Sequence, residues 1–219
     1  MEKLLKIASN ELGTREVSGD QHNPRILKYA EDLGMSWIQG DETPWCSVFL
    51  NWVAYKAKYQ RSNKANAKSW LKIGFKIDKP EPGDVVIYSR GNVNGPFGHV
   101  GLFLGFSADQ SRIYTLGGNQ GNSVSISGYP VERLLEFRRI KELNTRLSLT
   151  VLKKGDKGPK VSDLQDTLKM AGYNCGTSDG FFGGMTEAAI KKLQSDGEIT
   201  QSGIFNRKTR AYLKKIINQ

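Results

Sequence analysis

The spacing of apolar residues changes near residue 80, and that change restricts the fold more than any other feature of the chain. Before it the spacing is helical. Residues 44–59 place Trp45, Val48, Phe49, Trp52 and Val53 at i, i+3, i+4, i+7 and i+8, one face of a helix. Residues 1–12 and 24–33 read the same way. After "PEPGDVVIY" the apolar runs are short and bounded by Gly, Asn or Pro: 85–88, "HVGLFLG", "RIYTL", "SVSIS" and 135–140. "GGNQGN" between two of them makes 112–127 a hairpin. Helices first and strands afterwards predict an α+β domain, with helices packed on an antiparallel sheet.

Residues 142–150 have no period and read as a linker between a domain at 1–141 and another at 151–219. The second part repeats itself. "SDGFFGGMTEAAIKKL" aligns with "QSGIFNRKTRAYLKKI" at an offset of 23 residues: Gly180 with Gly203, Phe182 with Phe205, Thr186 with Thr209. Each copy is a glycine turn, an aromatic and a helix, with the threonine expected as its cap. A third helix, with Val161, Leu164, Leu168 and Ala171 in register, precedes them. This small helical domain pairs no nucleophile with a base and reads as a binder.

The formal net charge is +10, with 19 basic and 14 acidic residues up to Lys141 and 13 and 8 after it. Each part therefore carries +5, more densely in the shorter one. Such a surface attracts polyanions. It shows no basic helix with base-reading residues, so nucleic acid is not the expected partner. No apolar run approaches the ~20 residues that span a bilayer, and no membrane insertion is expected. The first 17 residues interrupt their apolar positions with Glu2, Lys3 and Lys6, which argues against a secretory signal and for residence in the cytoplasm of the producing cell. Two cysteines and two histidines, none at metal-ligand spacing, predict free thiols and neither metal nor cofactor. A monomer is expected.

Cys46 is the one residue whose position suggests chemistry. In "DETPWC", Thr43 as N-cap and Pro44 as first helical residue put Cys46 inside the first turn. Free N–H groups and the helix dipole favour a thiolate there, and the same N–H groups suit an oxyanion. A thiol nucleophile needs an imidazole base. His99 opens a strand directly after the glycine-rich "GNVNGPFG"; His22, in "GDQHNP", is the weaker choice. The imidazole in turn needs a partner that fixes its tautomer, and Asn119, at the end of the next strand, offers a carboxamide oxygen. Trp45 and Gln120 flank these positions as candidate substrate contacts, and Glu16 in "TREVSG" is a further acid within reach. A plainer reading fits each residue separately: Cys46 and Trp45 as core, His99 as structural, Asn119 as a left-handed turn residue, Glu16 as a solvated charge.

Taken together, "DETPWCSVFLNW", "PEPGDVVIY", "GHVGLFLG" and "LGGNQGNSVSI" resemble the CHAP and NlpC/P60 cysteine peptidases and amidases, most of all the branch found in phage endolysins. The resemblance covers about residues 1–141 and implies a papain-like fold that cleaves amide bonds in peptidoglycan. Carried over, the catalytic positions fall on Cys46, His99 and Asn119. Trp45 stands where many CHAP domains have Gln, and Gly117 where many have Glu. Residues 151–217 resemble the three-helix peptidoglycan-binding domain, through "LKKGDKGPKVSDLQDTLKMAGY" and "DGFFGGMTEAAIKKLQ". The implied protein is a modular wall hydrolase of endolysin type.

Overall fold

The computed structural model describes residues 1–19, 21–35, 37–143 and 149–217. The chain forms two compact units, Met1–Glu142 and Leu143–Gln219. The linker expected at 142–150 lies mostly on 144–148, outside the described residues.

The first unit is α+β. Its helices are α1 (Glu2–Ser9), α2 (Pro24–Asp32) and α3 (Cys46–Ala57). Its strands are β1 (Phe75–Ile77), β2 (Val85–Ser89), β3 (Gly98–Phe106), β4 (Arg112–Gly117), β5 (Ser125–Pro130) and β6 (Leu134–Arg139). They form one antiparallel sheet in the order β1-β6-β2-β3-β4-β5. The three-residue edge strand β1 has no sequence signal of its own, because Phe75 and Lys76 are exposed and no alternation develops. Helix α3 is buried nearly all round, including Ser47 and Asn51, since it is sandwiched between α1, α2 and the sheet. Its polar residues are satisfied inside: Ser47 Oγ donates to Lys64 O at 2.6 Å and Asn51 Nδ2 to Ser47 O at 2.8 Å.

The "PGDVV" turn also has a structural reason. Asp84 is fully buried, accepts from the Glu81 N–H at 2.7 Å, and takes a two-pronged bond from Arg139 at 2.9 and 2.8 Å. It thus ties the start of β2 to the end of β6.

The second unit is a three-helix domain: α4 (Pro159–Met170), α5 (Gly184–Asp196) and α6 (Arg207–Ile217). Its core holds Val161, Leu164, Leu168, Phe182, Ile190, Leu193, Phe205 and Leu213. The repeat is visible as a duplicated hydrogen-bond unit. Gln165 accepts from the Gly180 N–H at 2.9 Å and donates to Phe181 O at 3.0 Å and Thr186 Oγ1 at 3.1 Å. Gln194 accepts from the Gly203 N–H at 2.9 Å and donates to Ile204 O and Thr209 Oγ1, both at 2.9 Å. The threonines therefore do not cap their helices as expected. Gly183 occupies the N-cap of α5 without a side-chain cap, while Thr186 is buried one turn in, as an acceptor for the glutamine of the preceding helix. Cys175 is buried and donates to Gln165 O at 3.3 Å, within the core of this unit.

Candidate active site

Helix α3 begins later than the sequence suggests. Its first residue is Cys46 and its N-cap is Trp45, whose carbonyl accepts from the Phe49 N–H at 2.8 Å. Thr43 is not the cap. The cap is supplied from outside the helix: with the Asn119 amide turned so that both of its polar atoms are satisfied, its oxygen accepts from the Trp45 backbone N–H at 3.1 Å and its nitrogen donates to Glu16 Oε1 at 3.3 Å. Orphan N–H groups at helix starts need such acceptors, and a remote carboxamide serves as well as a local one. The left-handed backbone of Asn119, φ 57°, swings its side chain to this position.

Asn119 therefore does not hold the imidazole. That partner is Gln120, one residue on: its Oε1 lies 3.0 Å from His99 Nε2. The Gln120 amide nitrogen donates to Thr115 O at 3.2 Å and Ser125 O at 2.5 Å, so its orientation is fixed and Oε1 can only accept. His99 Nε2 must then carry the ring proton, and Nδ1 is left as the basic nitrogen. A one-residue difference within a glycine-rich turn decides which side chain faces the sheet, and that cannot be read from spacing alone.

Trp45 and Glu16 are also corrected. Trp45 is 1% exposed, packs against Tyr29 and Phe49, and donates its indole N–H to Glu16 Oε1 at 2.7 Å. It is part of the core, not the flanking surface contact its sequence position suggested. Glu16 is half-buried and spent on Trp45 and Asn119. Gln120 is 4% exposed, and its amide is taken up by His99, Thr115 and Ser125. His22 lies elsewhere, 3.0 Å from the buried carboxylate of Asp41.

Helix α3, which starts at Cys46, packs against β3, which carries His99. The backbone of Val100, the residue after His99, lies against the thiol, and the His99 ring stacks at 4.8 Å on Tyr129. Both groups are nearly covered, at 6% and 8% exposure. Burial raises the Cys46 pKa above its ordinary value, although the backbone amides of Val100, Ser47 and Cys46 pull it back down. The helix start alone therefore does not make a resting thiolate. Burial also pushes His99 down to about 4; the Gln120 bond opposes this, and the charges of Arg90 and Arg133 add to it. At neutral pH the resting pair is thiol and neutral imidazole, and the imidazole is ready to accept a proton.

Three neighbours escaped the sequence reading: Tyr129, Arg90 and Arg133. Their residue types are ordinary surface and strand choices, and only the fold gathers them around His99. Arg133 donates from Nε and Nη2 to Ser89 O at 3.1 and 3.0 Å, and its guanidinium carbon lies 5.7 Å from the Tyr129 ring centre.

Comparison with known proteins divides the chain in the same way. Residues 38–119 match the family model of the CHAP domain, and residues 157–213 match that of a peptidoglycan binding domain. Among solved structures, the SleB N-terminal domain is 32% identical over 32% of this chain and 97% of its own, with a TM-score of 0.31. A peptidoglycan-binding protein from Clostridioides difficile, in complex with glutamine hydroxamate, is 21% identical over 59% of this chain and 67% of its own, with a TM-score of 0.31.

Proposed function

From a chain that joins a CHAP domain to a peptidoglycan binding domain, we propose a peptidoglycan hydrolase in which Cys46 attacks an amide carbonyl of the wall peptide and His99 is the base. The observation that carries this reading is the His99–Gln120 pair: a neutral imidazole with its tautomer fixed, beside the thiol at a helix start. The Cys46 thiol gives its proton to His99 Nδ1 as sulfur bonds to the carbonyl carbon. The oxyanion falls to backbone N–H groups at the start of α3, since the Trp45 indole N–H is engaged by Glu16. His99 then protonates the leaving amine, and water, deprotonated by His99, releases the acyl group and restores the thiol.

Endopeptidase cleavage within the stem or cross-bridge is the favoured form; N-acetylmuramoyl-L-alanine amidase activity uses the same chemistry. The favoured biological setting is a phage endolysin: a monomer made in the host cytoplasm, released to the wall, and bacteriolytic there. A wall-binding protein without turnover is the second reading, and the near-complete burial of the thiol is what favours it.

Release of new amines from purified peptidoglycan separates the two. Cys46→Ala and His99→Ala should each drop it to background while sedimentation with walls is unchanged. Undiminished release in either variant would discard the assignment. Fragment masses then distinguish a new peptide amino terminus from a freed muramoyl group.

A further inference from the structure

Arg90 and Arg133 stand beside the candidate site without an acidic partner among the described residues. Arg25, Arg138 and Arg139 of this unit are paired with Glu11, Glu136 and Asp84; Arg15 and Arg112 form no ion pair among the described residues either, but they lie on other segments, away from the Ser89 carbonyl that holds Arg133. Arg133 is anchored by the Ser89 carbonyl through Nε and Nη2, so its fork is held in place while Nη1 remains for a ligand. It lies over the Tyr129 ring, which also stacks on His99. Arg90 directly follows β2, in which Tyr88 pairs with His99 and Ser89 with Gly98; its backbone N–H donates to Phe97 O at 3.3 Å, and its exposed side chain leaves the chain one residue after the Ser89 carbonyl that holds Arg133. Glu16, the acid nearest in the fold to Trp45, is engaged by Trp45 and Asn119 and does not offset them.

We propose that Arg90 and Arg133 form a carboxylate-binding subsite beside His99, selecting wall peptides that carry a free carboxylate near the scissile amide over their carboxamidated counterparts. The inference rests on the hydrolase reading above. Guanidinium forks match carboxylates in geometry and charge, and a fork already held by the protein loses little freedom on binding. A charge-assisted contact of this kind favours the acid by roughly 10- to 100-fold.

The test uses two synthetic stem peptides that differ only in carboxylate or carboxamide. Their binding is measured on full-length Cys46→Ala, which cannot turn over, and their cleavage on the unaltered protein. Cys46→Ala should bind the carboxylate peptide about ten-fold or more tightly, with the margin shrinking as salt rises. Adding Arg90→Gln should bring the two affinities within about three-fold, and Arg133→Lys, which keeps charge but loses the fork, should fall between. In the unaltered protein the same preference should appear mainly in KM. Equal affinity for the two peptides, or a preference that survives both substitutions, overturns the subsite. Preference in binding with no cleavage of either peptide supports the subsite and removes the hydrolase reading instead.

Discussion

Gln120 and His99 depend on each other in a way that can be measured. Gln120→Leu should lower kcat by about 100-fold with little change in KM, because the imidazole loses the acceptor that fixes its tautomer. Asn119→Ala should cost more in stability than in chemistry, about 1 kcal/mol for a lost cap, read from a thermal melt. The opposite ranking would restore Asn119 as the orienting residue. The His99 pKa also has a pH signature. Its folded value, about 4, lies below its ordinary 6.5, so the unfolded chain binds the extra proton between those values. Stability should therefore rise from pH 4 to 6.5 and be lost on acidification through that window, by up to roughly 3 kcal/mol from this group. The acid limb of turnover should likewise fall near pH 4 rather than near 6.5, and His99→Phe should remove the stability contribution.

Among the elements, the 118–122 turn and the glutamine staples carry the sharpest constraints. A Cβ on Gly118 would come within 2.5 Å of the Trp45 ring and 2.7 Å of Phe49 Cβ, so only glycine lets the turn close over the start of α3. Gly118→Ala should destabilise the first unit by about 1–3 kcal/mol and depress turnover, as the turn carries Gln120. In the second unit, Gln165→Leu or Gln194→Leu strands a buried glycine N–H, and Gln165→Leu removes the Thr186 hydroxyl's partner as well. Each should cost on the order of 3 kcal/mol, seen as a lower melting temperature and weaker sedimentation with walls. Most helices and strands were readable from apolar spacing, because their faces are half-buried and their ends carry Gly, Pro or Asn. Edge strand β1 was not, because it has three residues and two of them are exposed, which leaves no pattern. The start of α3 was misplaced because the group that caps it comes from Asn119, 74 positions after Trp45 in the chain.

For the whole molecule, the two units each bury their own core, and the second is proposed to act by concentrating the first on the wall. Removing 143–219 should leave kcat on soluble stem peptides within about two-fold while reducing lysis of intact walls by ten-fold or more. Equal loss on both substrates would mean that the second unit takes part in the chemistry. Among the described residues, no helix is long and apolar enough to cross a membrane.

The order of periodicities, the repeat and the positions of Cys46 and His99 were all present in the linear chain, since apolar spacing and turn residues act locally. What it left open was which side chain of "GGNQGN" reaches the imidazole, that Trp45 is buried, and that Arg90 and Arg133 border the site. Those depend on contacts between residues remote in sequence. Only the assembled sheet, with α3 packed against it, sets their distances and the desolvation that keeps His99 neutral.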